Sequence, residues 1–180
     1  VLYNTPPGNA GTLLSDINGH WAQSKIENMV GQGILSGYPD NTFKPDNKVT
    51  RAEFITMVNR AFDFTTQATI NYSDVNPGDW YAEEVARAKA AGYISGYEDS
   101  TMRPNNPISR QEVAVITSKI LKLDGSTSLE QINRFSDSNE IATWSRNAVA
   151  AMVKAGCMSG YPDGTFKAIY PMTRAEACVI

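Results

Sequence analysis

Residues 36–53 read SGYPDNTFKPDNKVTRAE, and two later stretches of the same length repeat this pattern without a gap. Residues 95–112 read SGYEDSTMRPNNPISRQE, and residues 159–176 read SGYPDGTFKAIYPMTRAE. The two offsets, 59 and 64 residues, also place the three tryptophans at one position of the pattern. Internal self-similarity of this kind is the mark of a chain built from repeated structural units. The sequence therefore predicts three homologous motifs.

Each motif is predicted to fold as a helix, a turn-rich loop and a second helix. Apolar residues at helical spacing, such as Trp21, Ile26 and Met29, indicate the first helix. A glycine follows each first helix, where a left-handed C-cap is expected; these are Gly33, Gly92 and Gly156. Pro-Asp-Asn and Pro-Asp-Gly in the loops are turn sequences, which leave room for at most a short extended pair.

The second helix of each motif is predicted to begin at a capping box. In this arrangement a Ser or Thr hydroxyl accepts the N3 amide proton, and the N3 glutamate reaches back to the N-cap amide. The three boxes are Thr50 with Glu53, Ser109 with Glu112, and Thr173 with Glu176. The residues after them are apolar around much of the helix, which is typical of a helix that is buried on several sides.

One motif of two short helices is too small to bury a sufficient core alone. We therefore expect a mainly α, pseudo-threefold domain in which the three second helices bundle at a common axis. Residues 1–14 are predicted as an N-terminal tether, 15–69 and 70–125 as the first two motifs, 126–135 as a connector, and 136–180 as the third motif. The second helix of the third motif looks truncated, because the sequence ends at Ile180.

The bulk composition excludes several classes of protein. A net charge of −3 and a pI near 5.2 disfavour binding to nucleic acid through phosphates. No apolar run approaches the roughly 18 residues of a membrane span. Cys157 and Cys178 are too few for a disulfide framework, and buried free thiols are favoured over a bridge. Neither cysteine has metal-ligand spacing with His20, and no metal or cofactor is expected.

The three units resemble the motifs of the surface-layer-homology (SLH) family over nearly the whole chain. The resemblance rests on the tryptophan of the first helix, on Gly-Tyr-Pro-Asp-x-Thr-Phe-Lys in the loop, and on Thr-Arg-Ala-Glu at the second helix. It implies a three-pronged spindle around a central three-helix bundle, with grooves that bind an anionic, often pyruvylated, secondary cell-wall polysaccharide. It also implies a non-catalytic, extracellular module at the bacterial cell surface, without membrane insertion and monomeric as a domain.

An arginine in the first turn of each second helix is the strongest candidate for ligand binding. A cation there is disfavoured by the helix macrodipole by roughly 0.3–1 kcal/mol. Its repeated use makes sense if free amides, the dipole and a guanidinium converge on a carboxylate. The alternative is a salt bridge to an acidic residue of a neighbouring motif. These residues are Arg51, Arg110 and Arg174.

Other repeated positions are weaker candidates for contact with a sugar. The tryptophans could present a ring face, although packing in the core is the favoured interpretation from their spacing; they are Trp21, Trp80 and Trp144. Paired serines and glycines could let the backbone approach a ligand, or the glycines could serve a turn with positive φ. These pairs are Ser36 with Gly37, Ser95 with Gly96, and Ser159 with Gly160.

A repeated aspartate precedes each first helix and is predicted to cap it, with a bond to a sugar hydroxyl as the second interpretation; the residues are Asp16, Asp74 and Asp137. An enzyme, such as a glycoside hydrolase with two carboxylates, is disfavoured because every repeated carboxylate has a capping or turn role. A protein–protein module of surface assembly, without glycan binding, is the alternative function.

Overall fold

The computed structural model describes residues 14–123, 126 and 128–180, so the predicted tether lies, apart from Leu14, outside the described residues. In this part of the chain the regular structure is helical and no strand forms, which confirms the prediction of a mainly α fold. The elements are α1 (Gln23–Gly31), α2 (Arg51–Ala61), α3 (Ala82–Ala90), α4 (Arg110–Ile120), α5 (Glu130–Asn133), a 3-10 helix (Ser138–Glu140), α6 (Arg146–Lys154) and α7 (Arg174–Ala177).

The second helices, α2, α4 and α7, begin as the sequence predicts. In α2 the Thr50 hydroxyl accepts from the Glu53 amide at 3.2 Å, and the Glu53 carboxylate accepts from the Thr50 amide at 2.8 Å. The same capping box is complete at Ser109 and at Thr173. This local pattern fixes where each second helix starts. The second helix of the third motif, α7, is four residues long.

The first helices, α1, α3 and α6, end as predicted but begin differently. The glycine after each has positive φ, as a left-handed C-cap requires. No side chain caps the amino end of any of the three helices, so the prediction that a repeated aspartate caps them is wrong. The tryptophan of each motif lies two residues before its first helix rather than within it.

The chain divides into two compact units. Of the described residues, the first unit contains those from Leu14 to Pro107 together with Thr173–Val179, and the second contains those from Ile108 to Met172 together with Ile180. Helix α4 therefore belongs with the third motif, and α7 belongs with the first. The prediction of a central bundle around a pseudo-threefold axis stays a prediction.

In the first unit α2 packs against α3. Nine consecutive residues of α2, Arg51–Asn59, are buried. The Tyr93 hydroxyl donates to Asn59 Oδ1 at 2.6 Å, and Asn59 Nδ2 donates to the Glu84 carbonyl at 2.9 Å. Burial raises the pKa of Tyr93, so its hydroxyl keeps the proton that this bond needs. The end of α2 is thereby fastened to α3 by buried polar contacts as well as by packing.

In the second unit α6 packs against both α4 and α5. The core collects apolar side chains from all three helices and from the following loop, including Ala114, Ile132, Met152 and Phe166. Gln111 Oε1 accepts from the Ser145 hydroxyl at 3.0 Å, which joins α4 to the start of α6. Ile132 lies in the segment predicted as a connector, and its full burial makes that segment part of the core.

Both cysteines are free thiols, as predicted. Cys178 is buried, and burial raises the pKa of its thiol to about 12, whereas Cys157 is only half-buried. Cys178 is therefore an inert part of the packing near neutral pH. Among the described residues, no helix combines the length and the hydrophobicity that crossing a bilayer would need.

Candidate functional site

Arg174 lies at the start of α7 and is bonded to the loop of the first motif. Its Nε donates to the Phe43 carbonyl at 2.9 Å, and its backbone N–H donates to the Asn47 carbonyl at 2.8 Å. Its Nη1 lies 3.3 Å from Glu53 Oε1, and both side chains are nearly inaccessible, at 4% and 11% exposed. The predicted alternative, a salt bridge to a neighbouring motif, is thus present at this arginine.

The other two arginines repeat this contact. Arg51 donates from Nε to the Met102 carbonyl at 3.0 Å, and Arg110 donates from Nε to the Phe166 carbonyl at 2.9 Å. Their backbone amides donate to Asn106 and Tyr170, the positions that correspond to Asn47. Each arginine therefore fastens the helix of one motif to the loop of another.

The first-turn amides of the second helices are not open to an incoming anion. The amides of residues 51, 52, 110, 111, 174 and 175 all donate to loop carbonyls at 2.8–3.0 Å. The third amide of each helix donates inside its capping box. The expectation that free amides and the macrodipole converge on a ligand is therefore wrong, and binding by the arginines has to use the guanidinium alone.

A tyrosine ring in each loop packs beside the arginine and was missed as a site residue. The Arg174 guanidinium carbon lies 5.1 Å from the centre of the Tyr38 ring, and Lys44 Nζ lies 4.2 Å from the same centre. The corresponding pairs are Arg51 with Arg103 at Tyr97, and Arg110 with Lys167 at Tyr161. Cation–π contacts of this kind hold both cations in place. The signal in the sequence was the tyrosine's presence in all three motifs.

Hydrogen bonds hold the carboxylate of the turn aspartate in its ionised form. Asp163 Oδ1 accepts from the Thr165 hydroxyl and from the Thr165 amide, and Lys167 lies 3.1 Å from Oδ2. These contacts lower the pKa of Asp163 from 3.8 to about 2. Because the pKa is lower in the folded chain, the ionised carboxylate stabilises the turn at any pH above its unfolded pKa. This stabilisation is lost as the pH falls toward 2.

Replacing Thr165 by valine is expected to raise the pKa of Asp163 from about 2 toward 3.8, because the threonine hydroxyl is the largest cause of the shift. The carboxyl ¹³C shift of Asp163, followed by NMR from pH 1.5 to 6, measures this change. Asp99 serves as the internal control, since its own threonine, Thr101, is untouched and its pKa is also about 2. An unchanged Asp163 titration would contradict the assignment.

The repeated aspartates clamp the loop instead of capping a helix. Asp16 accepts from the Phe43 amide with Oδ1 and from the Lys44 amide with Oδ2, both at 2.7 Å. Asp74 and Asp137 make the same two bonds in the other motifs. The second of these amides belongs to a lysine or an arginine, such as Lys44, and this residue has positive φ in every motif. The carboxylate pairs with two adjacent amides of a strained turn, which accounts for its presence in each motif.

The glycine of each Ser-Gly pair is required by close packing. A Cβ on Gly37 would lie 2.9 Å from the Thr42 carbonyl oxygen and would also meet the Leu14 side chain. Gly96 and Gly160 face the same conflict with Thr101 and Thr165. Only Gly96 of the three also has positive φ, at +77°. The interpretation that positive φ requires a glycine is therefore wrong at Gly37 and Gly160. Glycine is needed there because the neighbouring atoms leave no space for a Cβ.

The tryptophans are exposed, so the prediction that they pack in the core is wrong. Trp21 is 64% exposed, Trp144 is 61% exposed and Trp80 is 37% exposed. Trp21 lies against the His20 ring at a centroid distance of 5.4 Å, which covers only part of one side. An accessible indole face is suited to stacking on a sugar ring or on another apolar surface.

A cleft in the first unit brings two of the predicted residues together. It is open to solvent and is lined by residues of the first motif and by Arg174. Ser36 and Arg174 are the predicted members. Arg60, Thr56 and Met57 also line the cleft, although no sequence motif indicates them as site residues. The cleft brings apolar, hydroxyl, cationic and carboxylate groups together at one place on the surface.

The sequence profile of the S-layer homology domain matches residues 13–55, 71–114 and 134–178. The chain belongs to the S-layer homology (SLH) domain family. The three matches coincide with the three motifs that the internal repeat identifies, so the predicted resemblance is confirmed. Membership also places this SLH chain at the extracellular cell surface, as the sequence predicts.

The relatives of this SLH chain are longer proteins. It is 36% identical to an exoglucanase, XynX, of Acetivibrio thermocellus, over 100% of this chain and 17% of that protein. It is 36% identical to an amylopullulanase of Thermoanaerobacterium thermosulfurigenes, over 92% of this chain and 9% of that protein. It is 26% identical to a cellulosome-anchoring protein of Acetivibrio thermocellus, over 82% of this chain and 34% of that protein.

The chain spans less than a fifth of the first two of these relatives. What those enzymes share with this chain is its three SLH motifs. The enzyme names therefore describe proteins most of whose length has no counterpart here, and they bring no catalytic assignment to this chain.

Proposed function

We propose that this SLH domain is a non-covalent cell-wall anchor that binds an anionic, pyruvylated secondary cell-wall polysaccharide in grooves between its motifs. The observation that carries the proposal is the cleft of the first unit. There, a loop and helix of the first motif meet the arginine of the third motif, so that Ser36, Thr56 and Arg174 line one open cleft. The name of one relative, a cellulosome-anchoring protein, agrees with an anchoring role.

The chemistry of the cleft suits a sugar acid. Ser36 and Thr56 offer hydroxyl groups, and Leu35 and Met57 offer apolar surface. Arg60 and Arg174 offer guanidinium groups. Sugars present both polar hydroxyls and apolar C–H faces, and a pyruvyl ketal adds one carboxylate. Guanidinium groups bind carboxylates through paired, charge-assisted hydrogen bonds. By repetition, Arg51 with Ser95 and Arg110 with Ser159 are the corresponding binding residues of the other motifs.

The exposed tryptophans are proposed as stacking surfaces for the polysaccharide beyond the cleft. Trp21 and Trp144 each leave more than half of their surface accessible, although burial of an indole is ordinarily favourable. The aspartates and the glycines of the loop contribute indirectly, because their contacts hold the loop in shape.

Sedimentation with protein-free cell-wall polysaccharide tests the proposal. The domain is expected to bind pyruvylated polymer and to bind at least tenfold more weakly after mild acid has removed the pyruvyl groups. A control protein of similar charge that lacks SLH motifs should stay in solution. Equal binding to both polymers would refute the pyruvylated ligand. Failure to bind either polymer, together with capture of a surface protein, would favour the protein–protein alternative.

A further inference from the structure

Arg174 and Glu53 form an ion pair inside the cleft and so cancel each other's charge. Glu53 Oε1 lies 3.3 Å from Arg174 Nη1, and both side chains are largely shielded from water. Glu53 is also held by the Thr50 amide at 2.8 Å, which keeps its carboxylate in place. An arginine paired in this way can still donate hydrogen bonds, but it adds little net attraction for an anion.

Arg60 supplies the remaining charge of the cleft. It lies in the last turn of α2, is half-buried, and lines the cleft together with Arg174 and Glu53. Within the described part of the chain its guanidinium has neither a salt bridge nor a hydrogen bond. Two cations and one carboxylate leave the cleft with one net positive charge, and Arg60 is its source.

The same helical position differs in the second motif. Lys119 corresponds to Arg60 in the repeat, lies in the last turn of α4, and is exposed. An exposed lysine is a hydrated point charge, whereas a half-buried arginine offers a rigid fork in a less polar setting. Arg60 is therefore a feature of this cleft rather than a requirement of the repeated fold.

We propose that Arg60 determines the selectivity of the first-unit cleft for an acidic sugar by binding its carboxylate, while Arg174, neutralised by Glu53, forms the wall and donates to uncharged oxygens. This inference rests on the proposed function. The residue that recognises the negative charge of the sugar then lies outside the repeated Thr-Arg-Ala-Glu sequence.

An NMR titration of the full chain tests the assignment at this cleft alone. The probes are a pyruvyl-ketal monosaccharide and the same sugar without pyruvate, and the readouts are the backbone amides of Leu35 and Ser36, which line the cleft. Arg60→Gln is expected to weaken binding of the pyruvylated sugar about tenfold and to leave the pyruvate-free sugar unaffected. Arg60→Lys should restore part of the affinity, and the loss should shrink at high salt.

Lys154→Gln is the matched control, since it removes one cation from the last turn of α6 at an exposed position. It should leave both affinities unchanged. If Arg60→Gln binds the pyruvylated sugar as wild type does, or if Lys154→Gln loses as much, the role of Arg60 is refuted while the proposed function stands. If the wild-type chain shows no preference for the pyruvylated sugar at these amides or for the pyruvylated polymer, the proposed function itself fails.

Discussion

Arg174→Ala is expected to lower the free energy of unfolding by about 3–5 kcal/mol, because it removes the cation that is paired with the buried Glu53 carboxylate. The Glu53 carboxyl lies in a largely shielded position, and the Phe43 carbonyl loses the donor at 2.9 Å. Urea denaturation followed by circular dichroism measures the loss. A loss below about 1 kcal/mol would mean that the pair is solvated and that the arginine has no structural role.

A second substitution distinguishes the cost of burying the Glu53 charge from the cost of losing the contacts of the Arg174 side chain. Adding Glu53→Gln to Arg174→Ala should recover part of the stability, because glutamine can still accept from the Thr50 amide and carries no charge to bury. Lys154→Ala, at an exposed position, is the control for loss of a cation and should change stability by less than about 0.5 kcal/mol. This structural role means that a binding defect of Arg174→Ala, taken alone, says little about ligand contact.

Gly96→Ala is expected to destabilise the domain by about 3 kcal/mol, since two penalties act at one position. Its φ of +77° is one that a residue with a Cβ adopts only with strain. The added Cβ would also lie 3.0 Å from the Thr101 carbonyl oxygen and would meet the Tyr72 ring. The carbonyl accepts from the Tyr97 amide at 2.8 Å and is held in place by that bond.

Gly31→Ala is the matched control in the same unit. Gly31 ends α1, has no atom within 4 Å of the added Cβ, and has no positive φ. Alanine there should stabilise the helix by about 0.5 kcal/mol. Thermal and urea unfolding of both variants give the comparison. If Gly96→Ala unfolds like the wild type, the close contact with the Thr101 carbonyl is not a constraint on the loop.

Much of the local structure could be predicted because its causes lie within a few residues. The capping box of Thr50 and Glu53 spans three positions, and a C-cap such as Gly33 needs only the helix before it. Cys178 could be placed in the packed part of the chain from the apolar residues at its repeated position. The family could also be identified from the sequence, because three copies of the same local pattern make the match far more specific than one copy would.

The errors occurred where a side chain finds its partner far along the chain. Asp16 looked like a cap for the helix beside it, but the amides that it binds belong to residues 43 and 44. Trp21 has the spacing of a core residue, yet it lies two residues before α1 and is 64% exposed. No sequence motif includes Arg60, and only its neighbours in the structure show that it lines a cleft.

The sequence by itself determined the three motifs, the starts of the second helices, the ends of the first helices and the family, since turns, caps and helical periodicity are local properties of the chain. The tertiary structure decided which loop each arginine is hydrogen-bonded to, which charged side chains form an ion pair and where a cleft forms. Those outcomes depend on contacts such as Arg174 with Phe43, 131 positions apart, and no local pattern encodes a distance between residues so far separated.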